Sequence, residues 1–540
     1  MGTPAVPAGY DPANLIPFVG LAIRLGAGTR ASPVVRPLVI LANTIRTNLT
    51  RSVGANNYTT LAGTIPLATP TFCASDTDAD ALCGAGSEAA LAYQAVTKQF
   101  PGKGAFICAV AENGAAVKAT SVCLFATTAT SSGTVTLNLA GRTVQSTIAT
   151  GDTASTTASA VANLVNQQSR WPVTATVSSG TMTLTAKQGG TRGNNVPYQV
   201  VITAGGTTAA LNGGTAGQSV SALMGVSTGT PGSGADDVTA GLAALAPGKY
   251  FIVSGVDDTT NANLIRDHLG TYASIANRRR QQAQLALTNF TVGTAITRAQ
   301  TVNGQRVGIA YHRITSTGSV VDPNIRSTAE IAASVAAMRL YGDGAVGNGG
   351  TVRGELAYAT CNLNNGQLAA VPAQDAGLGA RLLDSEMQQL LFGGVSPIKS
   401  SSLNPGLTQL VRSFTSYSLD ANSNPTNAVQ LTSDVTGIDF SADRIESAIQ
   451  SSFPNKNLAP EPEVPVSPSH PDIIYPSMVK AVIVEEIRKL QNEGICVNAD
   501  INAAAINVAV SDTDPTLVLA EIPESVMKPF NAFAGTLSSV

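Results

Sequence analysis

Continuous apolar runs alternate with amphipathic stretches through the first part of the chain. Pro37-Leu38-Val39-Ile40-Leu41 and Ala105-Phe106-Ile107-Cys108-Ala109-Val110 carry no polar face at all, the pattern of strands covered on both sides. Between them, Ser87 to Gln99 has helical periodicity. Strand, helix, strand is the βαβ unit of an α/β layer. Ahead of this unit, residues up to about Arg30 hold Pro4, Pro7, Pro12 and Pro17 around one short extended run, Phe18 to Arg24. A run fenced by prolines, before any packing partner, reads as an arm.

At about Ala126 the texture changes. From there to Ala235 the only acidic residue is Asp152, and Thr, Ser, Gly and Ala dominate. Thr134–Leu139 and Thr143–Ile148 alternate around Ala140-Gly141-Arg142 and predict a hairpin; Val173–Val177 and Thr181–Thr185 predict a second around Ser178-Ser179-Gly180. Asp152 is placed to cap a short helix carrying Val161, Leu164 and Val165, and Tyr198–Thr203 adds a strand. α/β texture then returns, with helices near Val238–Leu245 and Asn261–Ala276 and strands Tyr250–Val253 and Arg306–Tyr311. Ser327-Thr328-Ala329-Glu330 opens another helix with a capping box. Strands and turns are expected from Gly379 to about Thr436, with Ser413–Leu419 as a half-exposed strand.

Seven prolines lie between Pro454 and Pro476, a semi-rigid extended spacer. The best amphipathic helix follows. Ser477 is placed as its cap, Val479, Val482, Ile483, Ile487 and Leu490 share a face, Lys480, Glu485, Glu486, Arg488 and Lys489 lie toward the other, and Gly494 ends it. Ile506–Val510 and Leu517–Ile522 then predict a hairpin, and Phe530–Leu537 a last extended segment. The pattern therefore predicts an α/β and α+β multidomain protein. It has an N-terminal arm (1–30), an α/β host domain (31–125 and 236–453), a β-rich inserted domain (126–235), a Pro-rich linker (454–476) and a C-terminal α+β domain ending in an arm (477–540).

Composition narrows the function. At 540 residues and 44% hydrophobic the chain can bury several cores, while charged residues, at 12%, are about half the usual share. Small, uncharged surfaces suit a protein packed against copies of itself, and they suit a secreted β-rich adhesin as well. A net charge of −3 offers no broad attraction to nucleic acid or to an anionic membrane. The one basic cluster, Arg278-Arg279-Arg280, lacks interleaved aromatics and reads as a solvated or inter-subunit face. No apolar run approaches the roughly 20 residues that span a bilayer. The N-terminus has neither the basic nor the apolar region of a secretory signal, and Val6 stands where myristoylation needs Ser or Thr. Folding and assembly in a cytoplasm are expected. Cys73, Cys83, Cys108, Cys123, Cys361 and Cys496 contain no CxxC pair and read as buried thiols; Cys73 and Cys83, flanking an acidic loop, are the one plausible local pair.

Catalytic spacings are present but lack their context. Gly225-Val226-Ser227-Thr228-Gly229 fits the nucleophile-elbow spacing, yet a Gly/Pro/Ser loop follows where a helix is needed. Gly84-Ala85-Gly86-Ser87 has no P-loop lysine, so Ser87 reads as a helix cap. Asp76-Thr77-Asp78-Ala79-Asp80 begins like a calcium loop but has Ala81 and Ser87 where Gly and Glu belong. His268, His312 and His470 form no metal spacing, and Ser396-Pro397-Ile398-Lys399 reads as a turn. No enzyme activity, metal or cofactor is expected.

An ordered series of segments resembles Mu-like phage tail sheath proteins. Tyr475-Pro476-Ser477-Met478-Val479-Lys480, continuing through Ile487-Arg488-Lys489-Leu490 to Gly494, resembles that family's closing domain, with Pro529-Phe530-Asn531-Ala532-Phe533-Ala534 resembling its final stretch. Leu82–Ser87 is similar to its Phe-Gly-Ala-Gly-Ser helix start, Leu383–Val395 to its helix entering a Gly turn, and the strand around Phe414–Tyr417 and the Thr-rich insertion have counterparts. The proline spacer is longer than the family's pattern. The resemblance implies a structural subunit that stacks in hexameric rings around a tail tube and contracts without consuming nucleotide. It is expected to be assembled in a host cytoplasm and carried in a virion. Implied partners are further copies, the tail tube protein, and baseplate and tail terminator proteins, with no nucleic acid and no membrane insertion. The implied strand exchange between subunits falls on Phe18, Val19, Leu21 and Ile23 and on Phe530, Phe533 and Leu537; tube contact falls on Lys480, Arg488 and Lys489. A tailocin sheath is the alternative within the same class. A secreted β-rich adhesin or surface-layer protein is the alternative outside it, disfavoured by the α/β core and the missing signal sequence.

Overall fold

The computed structural model describes residues 36–225, 229–314, 321–341, 366–374, 381–401, 406–426, 431–462 and 472–526. The Phe18–Ile23 and Phe530–Leu537 arm segments, Cys361 and His470 lie outside these residues.

The expected buried run forms β1 (Leu38–Asn43), every residue of it buried. A small hairpin of β2 (Leu49–Val53) and β3 (Asn56–Thr60) leads to β4 (Thr71–Cys73). The acidic segment expected as a loop is instead helix α1 (Asp76–Cys83): Ser75 caps it, accepting from Asp78 N–H, and Asp76 and Asp78 sit in the first turn, where the helix dipole favours them. Helix α2 (Glu88–Gln99) begins at the Ser87 cap, and β5 (Ala105–Val110) follows.

The insertion is a sandwich of two four-stranded sheets. Its strands are β6 (Lys118–Ala126), β7 (Gly133–Leu139), β8 (Arg142–Ile148), β9 (Val173–Ser178), β10 (Thr181–Gly189), β11 (Pro197–Ile202), β12 (Thr208–Leu211) and β13 (Ser219–Leu223), with helix α3 (Ala154–Gln167) between β8 and β9. One sheet runs β12-β6-β10-β9 and the other β13-β11-β7-β8. Both expected hairpins form. Ala140 and Gly141 in one turn, and Ser179 and Gly180 in the other, all have positive φ, the geometry that matches strand twist in two-residue loops. Pairing of β6 with β10 and β12 carries Lys118–Phe125, which sequence texture assigns to the host, into this sandwich. Its alternation is hidden by small residues: Ala119, Ser121, Cys123 and Phe125 point inward. Helix α3 is capped by Thr153, which accepts from Thr156 N–H, and not by Asp152, whose carboxylate instead accepts from Ala149 N–H at 2.7 Å.

The host resumes with α4 (Thr239–Leu245), β14 (Phe251–Val253), α5 (Thr259–Tyr272), β15 (Gln282–Leu287), α6 (Val292–Val302), β16 (Val307–Tyr311), α7 (Thr328–Tyr341), β17 (Gly366–Pro372), α8 (Asp384–Phe392), β18 (Ser396–Ser400) and β19 (Leu407–Leu410). Nine strands form one sheet in the order β17-β19-β18-β16-β15-β14-β1-β5-β4, parallel from β18 through β5 and antiparallel at both ends. Alternate residues of β1 serve opposite cores. Leu38, Ile40 and Ala42 join α1, α2 and α7; Val39 and Leu41 join the core of α4, α5, α6 and α8. This is a three-layer α/β body. Ser396–Lys399, expected as a turn, is most of β18; Pro397 is tolerated there while its carbonyl accepts from Val411 N–H at 2.9 Å. Ser413–Leu419, expected as a half-exposed strand, is largely buried and makes isolated bridges only, with the Ser413 and Thr432 hydroxyls paired at 2.6 Å.

Helix α9 (Thr432–Ser452) leads to the C-terminal domain of β20 (Asn457–Leu458), β21 (Ile473–Ile474), α10 (Pro476–Asn492), β22 (Cys496–Val497), α11 (Ala499–Ala505), the hairpin β23 (Asn507–Val510) and β24 (Val518–Glu521), and β25 (Ser525–Val526). Ser477 is not the cap of α10. Tyr475 holds that position, Pro476 occupies the first turn where its missing N–H costs nothing, and Ser477 N–H donates to Glu461 at 2.9 Å. Val479, Ile483, Ile487 and Leu490 are buried with Ile445 of α9 as expected for the apolar face, but Glu486 is buried too, paired with Arg444 at 2.6 Å.

Candidate assembly surfaces

The residues that invite a catalytic reading are structural where described. His268 on α5 is buried beside Tyr272, its Nε2 3.2 Å from Gln281 Oε1. His312 is fully buried, and burial pushes its pKa down to about 3, so it is neutral. Burial raises the thiols of Cys73 and Cys108 to about 11 and of Cys83 and Cys496 to about 12, far from a reactive thiolate. Cys73 and Cys83 are free. Ser87 accepts from Ala90 N–H at 3.2 Å and caps α2. Among the described residues no cluster of His, Cys, Asp and Glu could hold a metal ion, and no helix is long and apolar enough to cross a membrane. Residues 226–228 of the nucleophile-like spacing lie outside the described residues.

Charge is concentrated instead at two joints. The first lies across the starts of the central strands. Arg36, Lys249, Arg280 and Arg306 precede β1, β14, β15 and β16, lining cations along one end of the sheet. Asp439, Asp443 and Glu446, at helical spacing on α9, face that row. Asp439 takes Arg36 at 2.6 Å and Arg306 at 2.7 Å; Asp443 takes Lys249 at 2.9 Å and also Arg280, which pairs with Glu446 as well. Arg280 is therefore no solvated face: it is fully buried between two carboxylates, whose charges hold its guanidinium strongly protonated against the cost of burial. The solvated-face reading fails for Arg280, though not for the exposed Arg279, because the neutralising acids lie more than 150 residues downstream. The opposite side of α9, with Ile445 and the half-buried Phe440, Ile449 and Phe453, belongs to the core of the C-terminal domain. One helix thus serves both bodies.

The second joint locks the insertion to the host. Arg192 pairs with Glu88 at 3.0 Å and with Asp236, and Asp236 also accepts from Asn43 Nδ2 at 2.6 Å. Glu88 N–H donates to Gln188 at 2.6 Å. Lys187 is buried, its ammonium donating to the carbonyls of Ala85 and Ser169, one on each side of the joint; desolvation lowers its pKa to about 7. Gly86 adopts φ +77°, and a Cβ there would collide with the Trp171 carbonyl of the insertion. At the hairpin tip, Gly141 N–H donates to Pro323 O at 2.7 Å.

The three basic residues expected to face a tube differ in their surroundings. Lys480 donates to Ile506 O at 2.7 Å, bracing α10 against the start of β23. Arg488 pairs with Asp500 at 2.9 Å and Lys489 with Glu485 at 2.8 Å, all four well exposed. At about 100° per residue, Lys480 and Lys489 point to opposite sides of the helix. Large apolar side chains stand exposed elsewhere: Ile501 on α11 at 71%, Phe392 at the end of α8 at 69%, and Phe72 at 56% on β4, an outermost strand of the sheet.

No family model matches the chain, and no curated protein matches it in sequence. Among solved structures, it is similar to the sheath tail protein Lin1278 from Listeria innocua, with 11% identity, 92% of this chain and 93% of that one covered, and a TM-score of 0.43. A weaker likeness is to the flagellar cap protein FliD of Escherichia coli, with 14% identity, coverage of 45% and 78%, and a TM-score of 0.12.

Proposed function

We propose that the chain is the structural subunit of a contractile tail sheath, polymerising with copies of itself as stacked rings around a tail tube and contracting to drive the tube through an envelope. The ordered sequence resemblance to Mu-like sheath proteins carries this reading, and its longest segment, Tyr475 to Gly494, coincides with one complete element: α10, with Pro476 in its first turn, a buried apolar stripe, and Gly494 at φ +76° as its stop. The α9 joint also suits a lattice subunit, since it mounts a separate small domain on a rigid body through one helix. Arms around Phe18–Ile23 and Phe530–Leu537 would add strands to neighbouring sheets, each amide bond contributing about 0.5–1.5 kcal/mol net and the sum growing along the polymer. Contraction then draws on new contacts between subunits, with no nucleotide site required. Arg488 and Lys489 are the exposed residues proposed for the tube, with Lys480 beside the terminal hairpin.

Co-sedimentation with a co-expressed tube protein tests the reading. The full chain should pellet with the tube, and Arg488→Glu combined with Lys489→Glu should reduce that fraction while leaving the fold intact. A full chain that stays in the supernatant beside assembled tubes contradicts the proposal.

A further inference from the structure

A cleft of about 670 Å³ opens where the insertion meets the host. The host lends it α2, the residues around the start of α1, Arg326 and Glu330; the insertion lends it Arg142, Gln168, Arg170 and Trp171. Its lining holds four cations, Lys98, Arg142, Arg170 and Arg326, against two carboxylates, Asp76 and Glu330. Arg170 is taken up by Asp80 at 2.6 Å and Asp76 at 3.9 Å. Among the described residues Glu330 is the one carboxylate paired with both other guanidiniums, Arg142 at 2.7 Å and Arg326 at 3.5 Å, which also donate to the carbonyls of Ala140 at 3.1 Å and Gly141 at 3.0 Å. Arg326 keeps a buried Nε with no hydrogen-bond partner. Lys98, exposed, makes no ion pair among the described residues. Positive charge is thus left over at this end of the cleft, within walls that include the buried Trp171, Ala95 and Ala370 and therefore screen it less than open water would.

We propose that this cleft is an oxyanion-binding site, taking a carboxylate or phosphate group between the Lys98 ammonium and the Arg142–Arg326 guanidinium pair. Consistent with an uncompensated cluster, the Lys98 ammonium is destabilised first by desolvation and then by the charge of Arg326, with Glu330 offsetting only part. Two sources could supply the group: free phosphate, or an acidic side chain of a second copy of this chain. The second source rests on the polymer reading above; the first does not.

Lys98 is the residue to vary, because it lies at the exposed end of α2, whereas Arg142 and Arg326 also neutralise the buried Glu330. The full chain is titrated with inorganic phosphate at constant ionic strength in chloride, for wild type, Lys98→Ala and Lys98→Arg, and self-association of each is followed by sedimentation with and without phosphate. Saturable binding that weakens about tenfold in Lys98→Ala, the scale of one charge-assisted hydrogen bond, and is retained in Lys98→Arg establishes the site. If Lys98→Ala and phosphate also each reduce self-association, or if only self-association responds to Lys98→Ala, a second copy supplies the group. Phosphate binding indifferent to Lys98, or no binding together with unchanged self-association, overturns the proposal. Phosphate binding can be measured even on a chain that never polymerises, so failure of the site and failure of the sheath reading remain distinguishable.

Discussion

The insertion and the C-terminal domain are fastened to the same three-layer body by different means. The insertion leaves after β5 and returns before α4, its two ends held together by the Val117–Ser233 bridge. It is then pinned at separate points: Arg192 between Glu88 and Asp236, Lys187 between two carbonyls, the Gly86 approach to Trp171, and the Gly141 tip on Pro323. The C-terminal domain shares a single helix. The carboxylates of α9 bind the row of cations below the sheet while its apolar side completes the small core around α10. A module pinned at several points can only move with its host. One mounted on a shared helix has its orientation set by three carboxylates, so a few substitutions reach the whole attachment.

The largest expected effect tests that concentration. Asp439→Ala leaves Arg36 and Arg306 buried without their counter-charge and should cost about 3–5 kcal/mol, read as a lowered denaturant midpoint with early loss of the C-terminal domain. A loss well under this value would mean that the attachment is distributed, as in the insertion. Gly86→Ala combines a left-handed backbone with the Trp171 collision and should cost about 1–3 kcal/mol, with the insertion and not the C-terminal domain exposed first in hydrogen exchange.

The two regions should also answer pH in opposite directions. Lys187 at the insertion joint has its pKa depressed by burial to about 7, so the unfolded chain binds the extra proton between there and the ordinary lysine range. Its contribution to stability therefore rises with pH across that window and is lost as pH falls through about 7. Glu524, desolvated beside α9 and accepting from Ser441 at 2.7 Å, has its pKa raised to about 7. Its contribution is fully present below the ordinary carboxyl range and is lost as pH rises toward 7. Denaturant midpoints of Lys187→Met and Glu524→Gln against wild type across pH should lose the corresponding slopes. The smallest effect belongs to Arg488→Ala: an exposed pair with Asp500 should contribute about 0–1 kcal/mol, so any assembly defect in that variant would come from a surface contact.

The same contrast explains what the sequence could convey. β1, β5 and α10 are visible because their burial is written locally, in continuous apolar runs or one helical stripe. β15 is invisible because Gln282 and Gln284 interrupt it; in the fold Arg339 of α7 donates to each at 2.9 Å, and Gln282 in turn donates to Asp439 at 3.2 Å. Helix α9 is hidden for the same reason: Asp439 and Glu446 are buried residues that pattern reading assigns to solvent. Arg280 belongs with them, as the other half of those pairs. In each case a distant partner satisfies the polar group, and no local window contains it. The cleft at Lys98, Arg142 and Arg326 is assembled from three elements far apart in the chain and has no sequence signature.

The sheath reading is tested most directly by negative-stain electron microscopy of the purified full chain over a concentration series, alone and co-expressed with a tube protein. Regular sleeves or ring stacks with a hollow bore are expected, alone at high concentration or at least around the tube. Particles that remain single subunits under both conditions would contradict it.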